Sequence, residues 1–165
     1  MALINSSPTN DVGPLLRNAI KYHDANTIKL LLDDPKINNY KELSGILSNY
    51  LLNCYDKYNI EIIKILLADP RIDPSFSYNL ALRCAICHGD EKIVELLLND
   101  PRVDPTTDDN YAFICACTSG HILIVNLFLN DKRIDPWVND FAAIKAACEK
   151  NHSEIVKLLL KRVNE

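Results

Sequence analysis

The chain has only four glycines, one methionine and one tryptophan among 165 residues. With so few glycines there is no glycine-rich loop to cradle a phosphate, and no Ser-His-Asp order or pair of buried carboxylates stands out. Catalysis has no residue set to rest on, so neither enzyme activity nor a cofactor is expected. No apolar run approaches the ~18 residues that cross a bilayer. Residues 1–4 are too short an apolar start for a signal peptide and lack a basic flank. Neither charge sign forms a block, and a net charge of −4 with a pI near 5.5 gives no electrostatic hold on nucleic acid or anionic lipid. Asn5 and Asn151 head glycosylation sequons, which are chance matches without secretion. The expectation is a cytoplasmic protein, nuclear residence also being compatible, with its six cysteines reduced.

What the chain does have is a period. Residues 91–105 read EKIVELLLNDPRVDP, in which Ile93, Val94, Leu96, Leu97 and Leu98 cover more than half of a helix circumference. A stripe that wide suits a helix packed on several sides. Asp100-Pro101 stops it, because proline disfavours the α conformation of the residue before it. IEIIKILLADPRIDP ends at Pro74 and ILIVNLFLNDKRIDP at Pro136, so the spacing is 105 − 74 = 31 and 136 − 105 = 31. Weaker copies end at Asn38 and close the chain. Hydrophobic residues at 48% and charged residues at 24% are globular values.

Helix pairs follow from the period. They are expected at 14–22 and 26–32, 46–55 and 60–67, 79–88 and 91–99, 110–119 and 121–130, and 141–150 and 152–162, with Gly89, Gly120 and Asn151 as breaks. Residues 1–12 are expected to be a lead-in before one array over 13–165. Its repeats fall at about 13–38, 39–73, 74–104, 105–135 and 136–165. The second repeat carries four extra residues, since Pro35 and Pro70 are 35 apart. Small residues recur at i and i+4 in the first helix of a pair: Ala81 and Ala85, Ala112 and Ala116, Ala143 and Ala147. Repeat two has Tyr50 and Cys54 there, so its packing should be less regular. No helix of this length is stable alone in water, so stacking must hold the array together.

Helix, Gly-His, helix, Leu-Leu-Leu and a tight loop, as in GHILIVNLFLNDKRIDP over 120–136 and HSEIVKLLL over 152–160, resemble the ankyrin repeat. The resemblance implies an all-α, helix-turn-helix solenoid of about five stacked repeats. The Thr-Pro-Leu-His opening is replaced by Leu80-Ala81-Leu82-Arg83 and Tyr111-Ala112-Phe113-Ile114, and each unit is two residues short. A compact turn is therefore expected where the family has a β-hairpin finger. The shortened form is similar to ankyrin arrays of large DNA viruses of amoebae and of some protists.

The period also aligns rows. Lys36, Arg71, Arg102 and Arg133 are equivalent, as are Asn38, Asp73, Asp104 and Asp135. A solvated edge, with pairs worth ~0–1 kcal/mol each, is expected there rather than a functional charge ladder. Cys84-Ala85-Ile86-Cys87-His88 matches the C-x-x-C-H of covalent haem attachment. Against that, Cys84 repeats as Cys115 and Cys117 as Cys148, which is how a small core residue behaves. A zinc site from Cys87, His88, Cys117 and His121 would need four ligands converging on one point, and none is expected. Equivalent cysteines at the ~8–10 Å helix spacing are also too far apart for disulfides.

Surface remains. The resemblance implies that a partner protein is held on the concave side, by loop tips, the start of the first helix and the residues before the break. Matched position by position, that side takes Phe76, Tyr78, Asn79, Cys87 and His88 in repeat three. In repeat four it takes Asp108, Asp109, Asn110, Thr118 and Ser119. Repeat five contributes Trp137, Asn139, Asp140, Glu149 and Lys150, and Asp56, Lys57, Lys21 and Tyr22 extend the row. Trp137 is the one tryptophan, in a loop where equivalent repeats have Ser75 and Thr106. It is read as a binding anchor, with a structural cap as the alternative. The expected function is that of a monomeric, non-catalytic protein-binding module. The alternative is an adaptor or inhibitor of a host signalling or ubiquitin-ligase component, which would need a second motif, and none is read here.

Overall fold

The computed structural model describes residues 12–40, 42–53 and 58–162. Among them are ten α-helices, one short 3-10 helix (Pro35–Asn39) and no strand. The helices form five pairs: α1 (Val12–Lys21) with α2 (Ala25–Asp33), α3 (Ile46–Asn53) with α4 (Ile60–Ala68), α5 (Phe76–His88) with α6 (Glu91–Leu98), α7 (Thr107–Ser119) with α8 (Ile122–Asn130), and α9 (Val138–Glu149) with α10 (Ser153–Arg162). Of the expected lead-in only Val12 lies among the described residues, where it opens α1 and is buried. The compact turn is what occupies the loop positions.

Stacking turns the period into a core. Ile62, Ile93, Ile124 and Ile155 form one row, 0–2% exposed, and Leu66, Leu97, Phe128 and Leu159 a second, 0% exposed throughout. Each such side chain gains roughly 1.5–3 kcal/mol over an exposed one. On the other layer α3, α5, α7 and α9 stack in line. The paired alanines there are at most 3% exposed and let neighbouring helices approach closely. The second helices start on side-chain caps where the residue allows it: Asp24, Asn59 and Asp90 accept from Thr27, Glu61 and Ile93 N–H groups. Gly120, at φ 79°, ends α7 in the left-handed region, and the His152 imidazole lies over it.

One element was not foreseen. Regular right-handed helix begins only after Asn79, Asn110 and Phe141, because the three residues ending at each of these are all left-handed, with φ between 52° and 61°. Asn79 N–H and Asn110 N–H close these mirror-image turns onto Ser75 O and Thr106 O, each at 3.0 Å. A left-handed residue costs about 1–2 kcal/mol. Six of these nine are Asn or Asp, which tolerate that region best.

The four extra residues of repeat two have a place as well. They bring Tyr40 against Gly13, and Leu43 into the core at 5% exposure.

Candidate functional site

The loop edge, expected to be merely solvated, is a joint. Asp69, Asp100 and Asp131 each take the backbone N–H of the Arg two residues on, at 3.0 Å, and then its guanidinium. Each guanidinium also reaches back into the preceding repeat. Arg102 donates to Leu67 O (2.7 Å) and Ile72 O (3.0 Å), and Arg133 to Leu98 O and Val103 O (both 2.9 Å). Arg71 donates to Leu32 O and Asn38 Oδ1, and Arg162 to Leu129 O at 3.1 Å. Leu32, Leu67, Leu98 and Leu129 lie in the last turns of the second helices, where a cation also meets the negative end of the dipole. The Asp side chains are only 9–16% exposed. Hydrogen bonds from Arg hold these carboxyls below the usual carboxylate range. The solvated edge is thus corrected to a row of clamps.

The next row, Asp73, Asp104 and Asp135, makes turns of its own: Oδ1 accepts the N–H of Ser75, Thr106 and Trp137 at 2.9–3.0 Å. These turns lead directly into the left-handed segments. Two of the residues proposed for the partner face are withdrawn here. Asn79 and Asn110 are 2% and 4% exposed, and their side chains donate to Asp104 O (2.6 Å) and Asp135 O (2.8 Å), 25 residues on, where the chain passes into the next repeat. Buried and hydrogen-bonded across the joint, they offer nothing to a partner. The equivalent residue in the last repeat is Phe141, which is 53% exposed and pairs with Trp137 at 5.9 Å between ring centroids.

The other expected residues fall on the left-handed turns and at the ends of the first helices. Tyr78 is 71% exposed, and Asp108, Asp109, Asn139 and Asp140 are exposed beside it along the turns. Phe76 is 42% exposed, with one ring edge against Gly45. At the helix ends Cys87, His88, Ser119, Glu149 and Lys150 are exposed. Thr118 is half-buried and donates to Ile114 O in its own helix. Trp137 is half-buried against the core. Lys21 and Tyr22 are exposed at the first repeat. Asp56 and Lys57, and Cys54 with them, lie outside the described residues.

The expected core role holds for only part of the cysteine set: Cys115 is half-buried, and Cys87 and Cys148 are exposed. Cys84 and Cys117 are buried, the five described thiols are free, and burial pushes Cys117 up to about 12. Cys84 is inside and Cys87 outside, so the C-x-x-C-H segment does not present two thiols together. His88 is spoken for locally: Nδ1–H points at Cys84 O (2.7 Å), and the ring meets Tyr58 edge-on at 5.2 Å. Among the described residues no three His, Cys, Asp or Glu side chains are grouped to hold a metal, and no helix is long and apolar enough to cross a membrane.

Two features escaped sequence reasoning: the left-handed turns and a cleft beside Tyr50. The Ser-Tyr-Asn, Asp-Asp-Asn and Asn-Asp-Phe triplets held a signal for the first, being rich in the two residues that accept positive φ. At the cleft, Tyr50 stands where the later repeats have alanine. A chain of edge-on rings runs through it, His23 to Tyr50 (6.0 Å), Tyr50 to Tyr58 (6.1 Å) and on to His88.

Compared with known proteins, the chain matches a family model described as ankyrin repeats (3 copies), over residues 50–140 and 82–165. A search of curated proteins returned no match.

Proposed function

The chain belongs to the ankyrin repeat family, whose members generally mediate protein–protein interaction, and from that premise we propose that it holds a partner protein on the face made by its left-handed turns and first-helix ends. It acts by binding and not by catalysis.

One observation carries this. Neighbouring positions along the face follow opposite rules. The joint rows keep their chemistry from repeat to repeat: Asp then Arg, Asp then Pro, Ala at the close contacts. The displayed rows do not. Tyr78, Asp109 and Asp140 are equivalent, as are Cys87, Thr118 and Glu149, and His88, Ser119 and Lys150. A rigid backbone therefore presents different side chains at fixed spacing, the arrangement that recognition of an irregular protein surface needs. An adaptor or an inhibitor would use the same face.

Capture from a lysate with the intact chain tests the reading. A partner retained by wild type and by Lys92→Ala, on the exposed side of α6, but lost with Tyr78→Ala plus Asp109→Ala supports it. Loss with Lys92→Ala alone, and retention by the double variant, would move the site to the second-helix side. Trp137 closes the row, and its partial burial makes both of its roles measurable on one variant. If Trp137→Ala weakens binding by about thirtyfold with an unchanged melting temperature, it is an anchor. If it lowers the melting temperature and leaves affinity intact, it is the cap of the last repeat.

A further inference from the structure

The row of first helices is closed from α3 onward but open at its start. α5, α7 and α9 pack in line, and the alanine pairs they carry are at most 3% exposed. At the α1–α3 joint Tyr50 replaces the alanine, and its ring lies edge-on against His23. Beside the ring, between the two helices, is a cleft of about 320 Å³. Ile20, Ile46 and Tyr50 form its floor, 2–6% exposed. Its rim is Arg17, Lys21 and His23 on the α1 side and Asn49 and Asn53 on the α3 side.

The rim has a sign. Among the described residues no carboxylate lines the cleft, although the whole chain is net −4. Arg17 is steadied from behind by Tyr40 and Glu42, which offsets part of its charge. Lys21 supplies the other cation, exposed above the Tyr22 ring at 5.6 Å. The far end of the same face carries the opposite sign, at Asp108, Asp109 and Asp140. A volume near the lower end of the ~300–1,000 Å³ range of ligand pockets suits one or two side chains rather than a cofactor.

We propose that the cleft between α1 and α3 receives a large apolar side chain, flanked by carboxylates, from an acidic segment of the partner protein. Apolar floor and cationic rim each meet their complement in such a segment. This extends the face-binding function proposed above and rests on it.

The test uses the intact ¹⁵N-labelled chain and three probes at millimolar concentration: acetyl-Glu-Phe-Glu-amide, acetyl-Lys-Phe-Lys-amide and acetyl-Glu-Ala-Glu-amide. The first is expected to shift the backbone amides of Ile20, Lys21, Asn49 and Asn53. The lysine probe should bind there about fivefold more weakly, the scale of an exposed charge contact, and the alanine probe about tenfold more weakly or not at all, the scale of one lost ring. Lys21→Glu, or Asn53→Glu on the opposite wall should the first fail to fold, reverses the order of the two phenylalanine probes. Equal shifts from all three probes, or none at the cleft, overturn the proposal. Shifts confined to Tyr78, Thr118 and Lys150 overturn it while leaving the wider face in place. Shifts confined to the cleft are the supporting result, and the capture experiment above decides the wider face separately.

Discussion

Removing one clamp gives the sharpest measure of how the array is held. In Arg102→Ala, Leu67 O and Ile72 O lose charged donors at 2.7 and 3.0 Å, and Asp100, with its side chain 11% exposed, loses its counter-ion. A hydrogen bond to a charged group nets about 1.5–3 kcal/mol. The Arg102 side chain is 34% exposed, so water replaces part of what is lost and the low end applies. The expected loss is about 2–4 kcal/mol, against ~0–1 kcal/mol for a surface ion pair. Urea unfolding followed by circular dichroism reads it as a drop in midpoint at unchanged slope. Arg102→Lys keeps the charge but cannot fork between carboxylate and carbonyl, and should lose about half as much. Because two of the acceptors are neutral carbonyls, the loss should persist when salt rises from about 0.05 to about 0.5 M. If Arg102→Ala lies within about 0.5 kcal/mol of Lys92→Ala, the side chain is a spectator and the clamp reasoning is wrong.

The same carboxylates set the acid limb. Asp69, Asp100 and Asp131 have folded pKa values held below 3.8 by their Arg partners, so their stabilisation is complete above that value and is lost as pH falls through the lowered one. The urea midpoint should stay level from about pH 7 to 5, then fall below about pH 4, and fall less steeply in Arg102→Ala; identical acid limbs would contradict the assignment. Asn110→Ala should cost about 2–3 kcal/mol, through the lost bond to Asp135 O and a left-handed alanine, whereas Asn110→Gly keeps the backbone freedom and should cost clearly less; equal midpoints would show that the turn is not strained. In Gly120→Ala the new Cβ would sit 2.5 Å from His152 Cε1 at φ 79°, for a loss of about 2 kcal/mol or more in melting experiments; a neutral result would mean that the imidazole swings away freely.

Most of the architecture was legible because it is written in side-chain type and spacing. An apolar triplet ahead of Asp-Pro marks where the second helices of the first three repeats pack and stop, and Gly89 and Gly120 mark where the chain turns between the paired helices. Even the irregular second repeat was visible in Tyr50. The partner face was only half legible. Register places Asn79 and Asn110 among displayed residues, but whether an amide faces solvent or a carbonyl of the loop leading to the next repeat depends on backbone hand, which register does not carry. The Arg row misled for a related reason. Its Asp partner is visible two residues away, while the carbonyls it also reaches lie thirty residues or more back and bear no sequence signature at all.

That choice of acceptor has a consequence for how such a chain changes over generations. Leu67 O, Leu98 O, Leu129 O, Asp104 O and Asp135 O are present whatever side chain each position bears. Every 31-residue unit from Asp69 onward therefore brings a plug for the unit before it and a socket for the unit after it. A unit copied or excised in register finds its neighbours already matched, and no compensating substitution is required. Substitutions at Tyr78, Asp109 or Asp140 leave both plug and socket untouched. Length and surface are thus free to drift separately, and a tandem duplication of residues 75–105 or 106–136 should fold as a chain one unit longer.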